Sequence, residues 1–394
     1  MLVGKGKDIL KESEFYFNME LVECEVADSV KTIEKWAFGY CINMVTIFIP
    51  ASVVCIEEQV FDGCRRLARI EVDSANTRYR SINGILYDAT CTKLIKCPCA
   101  YKQPIFNILP SVMNIGNDAF KHCAFIRQII IGENVKTIGS KAFAYCEQLE
   151  YIYLSKEVRS IGMWAFSDCY NLKQFEVSKD SLEYGVFEKC LVRKTQGFDI
   201  MQFPLGDPAS FYYIDKCIQG ISDRAFTGAS CLKHLDVDAK NNYYKAVDGV
   251  LIEKKTRRLV CFPTMKNDCP VYEIPEDIMI VGNSSLKQNN DLRKIVFPKN
   301  LKLIERHALE FCHELREVTL SGCKLEKIEW CAFMGCTNLL AMDLGKQNSI
   351  TIDSLTFNEC TNLEDVILPA KENCHIAHGA FRKCDRVKIR HIED

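Results

Sequence analysis

One short pattern, rewritten along most of the chain, limits what the chain can fold into. A large apolar residue recurs at Phe38, Phe61, Phe120, Phe143, Phe166, Phe226, Leu286, Leu309, Phe333, Phe357 and Phe381, at intervals of 23, 59, 23, 23, 60, 60, 23, 24, 24 and 24. A unit of that length cannot bury an apolar face alone, so the period of 23–24 residues predicts a stack of coils, each covered by its neighbours. The residue before the anchor is always small, Ala in most units and Val60, Ser285 or Thr356 in the others, as a point of contact between coils requires. In the stretch AFAYCEQLEYIYLSKEVRSIG (Ala142–Gly162), the anchor Phe143, Cys146 and Leu149 fit one face of a short helical turn. Period-2 alternation follows and predicts a strand with Ile152 and Leu154 inward and Tyr151 and Tyr153 outward. Val158, Ile161 and Gly162 then supply two more inward residues and a glycine corner.

The three long intervals share landmarks of their own. Asn83-Gly84-Ile85-Leu86-Tyr87 matches Asp248-Gly249-Val250-Leu251-Ile252, and Asn-Gly or Asp-Gly beside a β-rich run signals a hairpin. The returning strands, Leu94–Cys97 and Leu259–Phe262, stop at Pro98 and Pro263; the middle block keeps this exit as Ile200–Phe203 before Pro204 and is expected to start at Gly185–Glu188. On that alignment the apparent extra unit at Val186-Phe187-x-x-Cys190 is a coincidence. The expected organisation is a cap over residues 1–32 and a single continuous solenoid over 33–394 of about eleven coils, with longer blocks near 62–119, 167–225 and 227–285. The finish RVKIRHIED, with Arg390 where an inward apolar residue was due, suits a capping end.

Cysteine follows the anchor by three at Cys41, Cys64, Cys123, Cys146, Cys169, Cys312, Cys336, Cys360 and Cys384, with Ala229 and Asn289 as exceptions. The total of 22 cysteines would suit a disulfide framework in an exported chain. Position argues against it: stacked coils hold equivalent side chains parallel and about 4.8 Å apart, whereas a disulfide needs facing Cβ atoms about 3.8 Å apart. A ladder of separate buried thiols is expected, each acting as a small hydrophobe.

Composition removes several functional classes. Lys plus Arg total 50 against 52 Asp plus Glu, for a net charge of −2, without the basic footprint of a nucleic-acid binder. No signal-peptide segment is visible at the N-terminus, and the longest apolar run, Met44–Ile56, is broken by Pro50 and too short to cross a bilayer. Cys374, His375, His378 and Cys384 have zinc-binding side chains, but Cys384 belongs to the ladder, and Cys91, Cys97 and Cys99 have no counterpart set in the third block. His313-Glu314-x-x-Glu317 puts Glu317 where a zinc protease helix needs its second histidine. No nucleophile, base and orienting group converge along the sequence, so neither enzyme activity nor a metal or cofactor is expected.

The pattern A-F-x-x-C-x-x-L-x-x-I-x-I-P-x-x-V-x-x-I-G, with the NGILYD and DGVLIE inserts, resembles the Treponema-pallidum-type leucine-rich repeats of the BspA-like family from Ile33 onward. The resemblance implies a leucine-rich-repeat-type α/β solenoid with parallel strands, short helical turns and hairpin-bearing inserts. It also implies a surface protein that recognises host or neighbouring-cell proteins; the missing export signal would instead fit an intracellular scaffold. Outward strand residues of successive coils should form one face, reading Thr46, Phe48, Arg69, Glu71, then Gln128, Ile130, Tyr151, Tyr153, Gln174 and Glu176, then His234 and Asp236. The six residues from Gln128 to Glu176 form the candidate partner-binding face, because rigid aromatic rings among polar neighbours supply contact area at low entropic cost. Stacking of Tyr151 and Tyr153 on sugar rings is the alternative use of the same residues.

Overall fold

A computed structural model describes residues 1–266, 270–320 and 322–392. The chain forms two compact units, residues 1–195 with 204–206, and residues 196–203 with 207–394. Each is a stack of parallel β-coils. In the first unit, strands Leu2–Val3, Glu23–Val26, Thr46–Ile49 and Arg69–Val72 form one parallel sheet, and Ile105–Asn107, Gln128–Ile130, Tyr151–Leu154 and Gln174–Val177 form another. In the second unit, parallel sheets join Val271–Glu273, Lys294–Val296 and Glu317–Thr319, and Ala341–Asp343, Asp365–Leu368 and Lys388–His391. A further wall of short paired strands, such as Asn114–Ile115, Thr137–Ile138 and Ser160–Ile161, runs along the glycine corners. The glycines are there for closeness: a Cβ on Gly139 would stand 2.5 Å from the Asn117 amide nitrogen, and one on Gly162 would stand 2.4 Å from that of Ser140.

The core runs along the axis of each unit. Phe15, Phe38 and Phe61 stack at centroid spacings of 5.4 and 6.0 Å, Phe120, Phe143 and Phe166 at 5.1 and 5.5 Å, and Phe333, Phe357 and Phe381 at 5.4 and 5.1 Å. The anchor of one coil therefore covers the anchor of the next, as the period requires.

The helical turn expected at each anchor is not helical. It is a pair of tight turns, closed in one coil by Ala37 N–H to Glu34 O and by Cys41 N–H to Phe38 O. The third residue of each turn is left-handed: Trp36 and Tyr40 have φ of 55° and 55°, Lys141 and Tyr145 of 53° and 59°, His307 and Phe311 of 58° and 60°. An α-helix of L-residues cannot contain such positions, which cost about 1–2 kcal/mol each. Hydrogen bonds to the following coil offset that cost: Phe143 N–H donates to Ala165 O at 2.8 Å, and Tyr145 N–H to Ser167 O at 3.0 Å. The alternation at i, i+3 and i+6 is that of this turn pair, which mimics one helical face. Among the described residues the helical element is one 3-10 turn, Lys371–Asn373.

The same backbone ladder reveals coils that the side-chain pattern conceals. Phe15, Cys97, Phe203 and Phe262 each donate an N–H to the next coil just as the anchors do, to Ala37, Ala119, Ala225 and Ser285. Residues 1–32, expected as a cap, thus carry the hydrogen bonding of a coil, and the returning strand of each insert ends on an anchor position. The first insert is a three-stranded antiparallel meander, Tyr79–Ile82, Ile85–Asp88 and Lys93–Lys96, with Asn83-Gly84 as its first turn. The third insert repeats it with Tyr244–Val247, Val250–Glu253 and Arg258–Cys261. The strand before the Asn-Gly turn had no signal in the alternation. In the middle block the turn is Glu188-Lys189, between Tyr184–Phe187 and Cys190–Lys194, so Gly185–Glu188 lies in and just after the first strand instead of matching the Asn-Gly turn. Val186 and Phe187 are strand residues and not an extra unit.

Cysteine in the repeat has a directional role. Cys41, Cys64, Cys146, Cys169, Cys312, Cys336, Cys360 and Cys384 each point the thiol at the anchor carbonyl of the preceding coil, at Sγ···O distances of 2.9–3.2 Å. Asn289 bonds within its own coil instead, to Leu286 O at 2.9 Å. Every described cysteine is free.

Candidate functional site

Strand pairing brings the six face residues together. Gln128 pairs with Tyr151 and Tyr151 with Gln174, while Ile130 pairs with Tyr153 and Tyr153 with Glu176. Two parallel rows result, held in place because the alternate residues Ile129, Ile152 and Phe175 are buried beneath them. The pleat, not any local preference, fixes which side chains face out: shifting the strand by one residue would bury Tyr151 and expose Ile152. Tyr151 and Tyr153 are half-buried, Gln128, Gln174 and Glu176 are exposed, and Ile130 is half-buried. The Tyr151 hydroxyl donates to Glu176 Oε2 at 2.7 Å. Partial burial, and then that hydrogen bond to the Glu176 carboxylate, push the Tyr151 phenol up to about 12. Tyr151 is therefore a neutral donor oriented by Glu176, and Tyr153 stands next to it as an untethered ring.

The rows extend one strand further than the spacing of anchors suggested. Ile105 pairs with Gln128 and Asn107 with Ile130, and Ile105 is 53% exposed. The strand Ile105–Asn107 was missed because it follows the first insert, where the anchor is Cys97 and the pattern is lost. The second unit has a comparable surface at His234 and Asp236, which pair with Phe211 and Tyr213. Phe211 is 49% and Tyr213 44% exposed, and Phe211 stacks on His234 at 5.7 Å. The alternation FYYI contained the signal for these two rings, but it lies just beyond the middle insert.

The metal candidates are not assembled. Cys384 Sγ is committed to Phe357 O at 2.9 Å, His375 sits in a strand opposite Thr351, and no group of three or more His, Cys, Asp or Glu side chains converges among the described residues. Cys91, Cys97 and Cys99 are buried, with Cys99 Sγ directed at Lys121 O at 3.5 Å. Burial raises the Cys312 and Cys261 thiols to about 12 each, which leaves these two protonated and poor nucleophiles. Among the described residues no helix is long and apolar enough to cross a membrane.

A model of the BspA type leucine rich repeat region, in six copies, matches residues 8–102, 99–199 and 264–388. Among solved structures, a leucine rich cell surface protein from Faecalibacterium prausnitzii is similar with a TM-score of 0.52 and 21% identity, over 93% of this chain and 84% of that one. The pneumococcal vaccine antigen PcpA is similar with a TM-score of 0.48 and 21% identity, over 80% of this chain and 77% of that one. No curated protein matches the chain.

Proposed function

The chain belongs to the BspA-type leucine-rich repeat family, and from that premise we propose that it is a non-enzymatic recognition protein that binds a protein partner through the strand face of its first unit. The observation that carries this is the register of that sheet: Ile105, Gln128, Tyr151 and Gln174 form one row and Asn107, Ile130, Tyr153 and Glu176 the next. Rings and amides fixed on rigid parallel strands lose little entropy on binding, and a central aromatic pair inside a polar surround is the usual make-up of a hot spot. Recognition is multipoint surface complementarity, with Tyr151 and Tyr153 as anchors and the flanking amides as adaptable hydrogen-bonding groups. The partner is a host extracellular-matrix or neighbouring-cell protein, and the protein acts at a cell surface; the description of the Faecalibacterium relative as a cell surface protein supports that location.

The second reading is an intracellular scaffold, favoured by one observation: every described cysteine is free, as in a reducing compartment. Immobilised protein offered matrix proteins and same-cell lysate in parallel separates the two. Capture of a matrix protein, lost in Tyr151→Ala/Tyr153→Ala, is the expected result. Capture from lysate alone would favour the scaffold, and undiminished capture by the double variant would reject the face. A glycan array tests the remaining alternative, sugar stacking on the same two rings.

A further inference from the structure

The first unit contains a cleft of about 500 Å³ where the first insert interrupts the stack, a volume in the range of small-ligand sites. Its apolar lining includes Ile56, Val60, Leu86 and Ile95, with half-buried Tyr79. Exposed Glu57, Glu58, Arg78 and Lys93 also line it, as does half-buried Asp88, whose carboxylate already accepts from the Thr90 and Thr92 hydroxyls and the Lys93 N–H. Deeper in, Lys96 is buried and donates through Nζ to Asp118 O at 2.9 Å and Lys121 O at 3.2 Å, and Lys121 pairs with Asp62 at 2.9 Å. The inner charges are thus balanced, Lys96 and Lys121 against Asp62 and Asp118, and the one carboxylate in excess at the mouth, Asp88, already has its oxygens hydrogen-bonded.

The cleft follows from how the insert is spliced in. The coil of Phe61 meets the coil of Phe120 through side chains: Asn117 Nδ2 donates to Glu58 Oε1 at 2.9 Å and Gln59 Nε2 to Asp118 Oδ2 at 3.2 Å. The third block is spliced in the same way, with Arg224 Nε donating to Ser284 Oγ at 2.9 Å. There, however, Arg258 spans the corresponding place, reaching Asp223 at 2.7 Å and Glu305 at 2.6 Å. In the first block Lys93 occupies the Arg258 position and Gly139 the Glu305 position, so that bridge cannot form. No equivalent of the Arg258 bridge therefore crosses the opening of the first block.

We propose that this cleft binds a neutral saccharide of one or two rings. Sugar hydroxyls both donate and accept, so they can satisfy Glu57, Glu58, Arg78 and Lys93 together, while the C–H face of the ring lies on Ile56, Ile95 and Tyr79. A charged ligand would satisfy one sign of side chain and bring the other up against a like or unmatched group, at the cost of desolvation without a partner. The cleft lies away from the strand face in residue content, and its failure would leave the protein-binding reading untouched.

The test is saturation-transfer NMR and calorimetry on the full chain, with glucose, galactose, N-acetylglucosamine, maltose, lactose and cellobiose, and with glucuronate and an arginine tripeptide as charged probes. Binding of at least one neutral sugar is expected, weakened about tenfold or more in Arg78→Ala/Lys93→Ala and unchanged in Tyr151→Ala/Tyr153→Ala. Both cleft substitutions are at exposed positions, and circular dichroism verifies that the variant is folded. No binding of any neutral sugar up to about 10 mM, a preference for either charged probe, or sugar binding that survives Arg78→Ala/Lys93→Ala would overturn the proposal.

Discussion

Cys146 shows how a residue in this repeat is chosen. Its thiol is fully buried and lies 3.1 Å from the Phe120 carbonyl of the preceding coil, so it fills space as a small hydrophobe and also links two coils. Ala229 keeps the first role and loses the second. Cys146→Ala should therefore lower stability by about 1–2 kcal/mol, from a lost hydrogen bond and a small cavity, measured by urea denaturation. Because burial raises the Cys146 and Cys312 thiols, native protein treated with a thiol reagent should label exposed Cys55 first, and Cys146 or Cys312 only on unfolding. Rapid native labelling of the ladder would contradict its burial.

His122 gives a pH dependence with a definite sign. Its ring stacks on Tyr145 at 4.8 Å, and burial, followed by the Lys121 ammonium, holds the imidazole down to about 4 against the opposing pull of Asp62. The unfolded chain binds a proton there near pH 6.5 that the folded chain refuses until about pH 4, so acidification favours unfolding across that window. The contribution is at most about 3 kcal/mol, present above pH 6.5 and lost as pH falls to about 4. Thermal melts of the parent should fall more steeply from pH 6.5 to 4 than those of His122→Asn, which lacks this titration and tolerates the left-handed φ of 65°. A parent melt that stays flat from pH 7 to 4 would rule the effect out.

At the scale of elements, the inserts are joined to the stack by a tyrosine. The Tyr79 hydroxyl accepts from Ile56 N–H at 2.8 Å and that of Tyr184 from Ile161 N–H at 3.0 Å, and Tyr244 accepts likewise from Ile221. Each phenol replaces the carbonyl that the next coil would have offered. Tyr184→Phe should strand the Ile161 amide and cost about 1–3 kcal/mol, read in the same urea experiment, with exposed Tyr243→Phe as the comparison. The strands, the inward and outward alternation and the inserts were legible in the sequence because burial writes itself as a period. The turn pair was not, since Phe143, Cys146 and Leu149 carry the same spacing in a helix and in two left-handed turns. Coils anchored on Cys97, Phe203 and Phe262 escaped notice because backbone hydrogen bonds, not the side-chain motif, define them.

Across the whole molecule, the same periodicity that builds the core also builds the surface. Strands in register place Gln128, Tyr151 and Gln174 in one row and Ile130, Tyr153 and Glu176 in the other, so the face could be assembled from sequence once the period was known. Its full extent could not, because the additional strand Ile105–Asn107 follows an insert that breaks the count, just as the exposed Phe211 and Tyr213 of the second unit follow another. The cleft at the first insert depends on residues such as Glu58 and Asn117, far apart in sequence and adjacent only after the meander is spliced in.

Hydrogen exchange of the protein alone and bound to its captured partner would test the central claim, recognition through the strand face of the first unit, most directly. The account predicts slowed exchange over the strands Ile105–Asn107, Gln128–Ile130, Tyr151–Leu154 and Gln174–Val177, together with a loss of affinity of about thirtyfold or more in Tyr151→Ala/Tyr153→Ala, the signature of a hot-spot pair. Protection confined to other walls of the coils, with the double variant binding as the parent does, would contradict it.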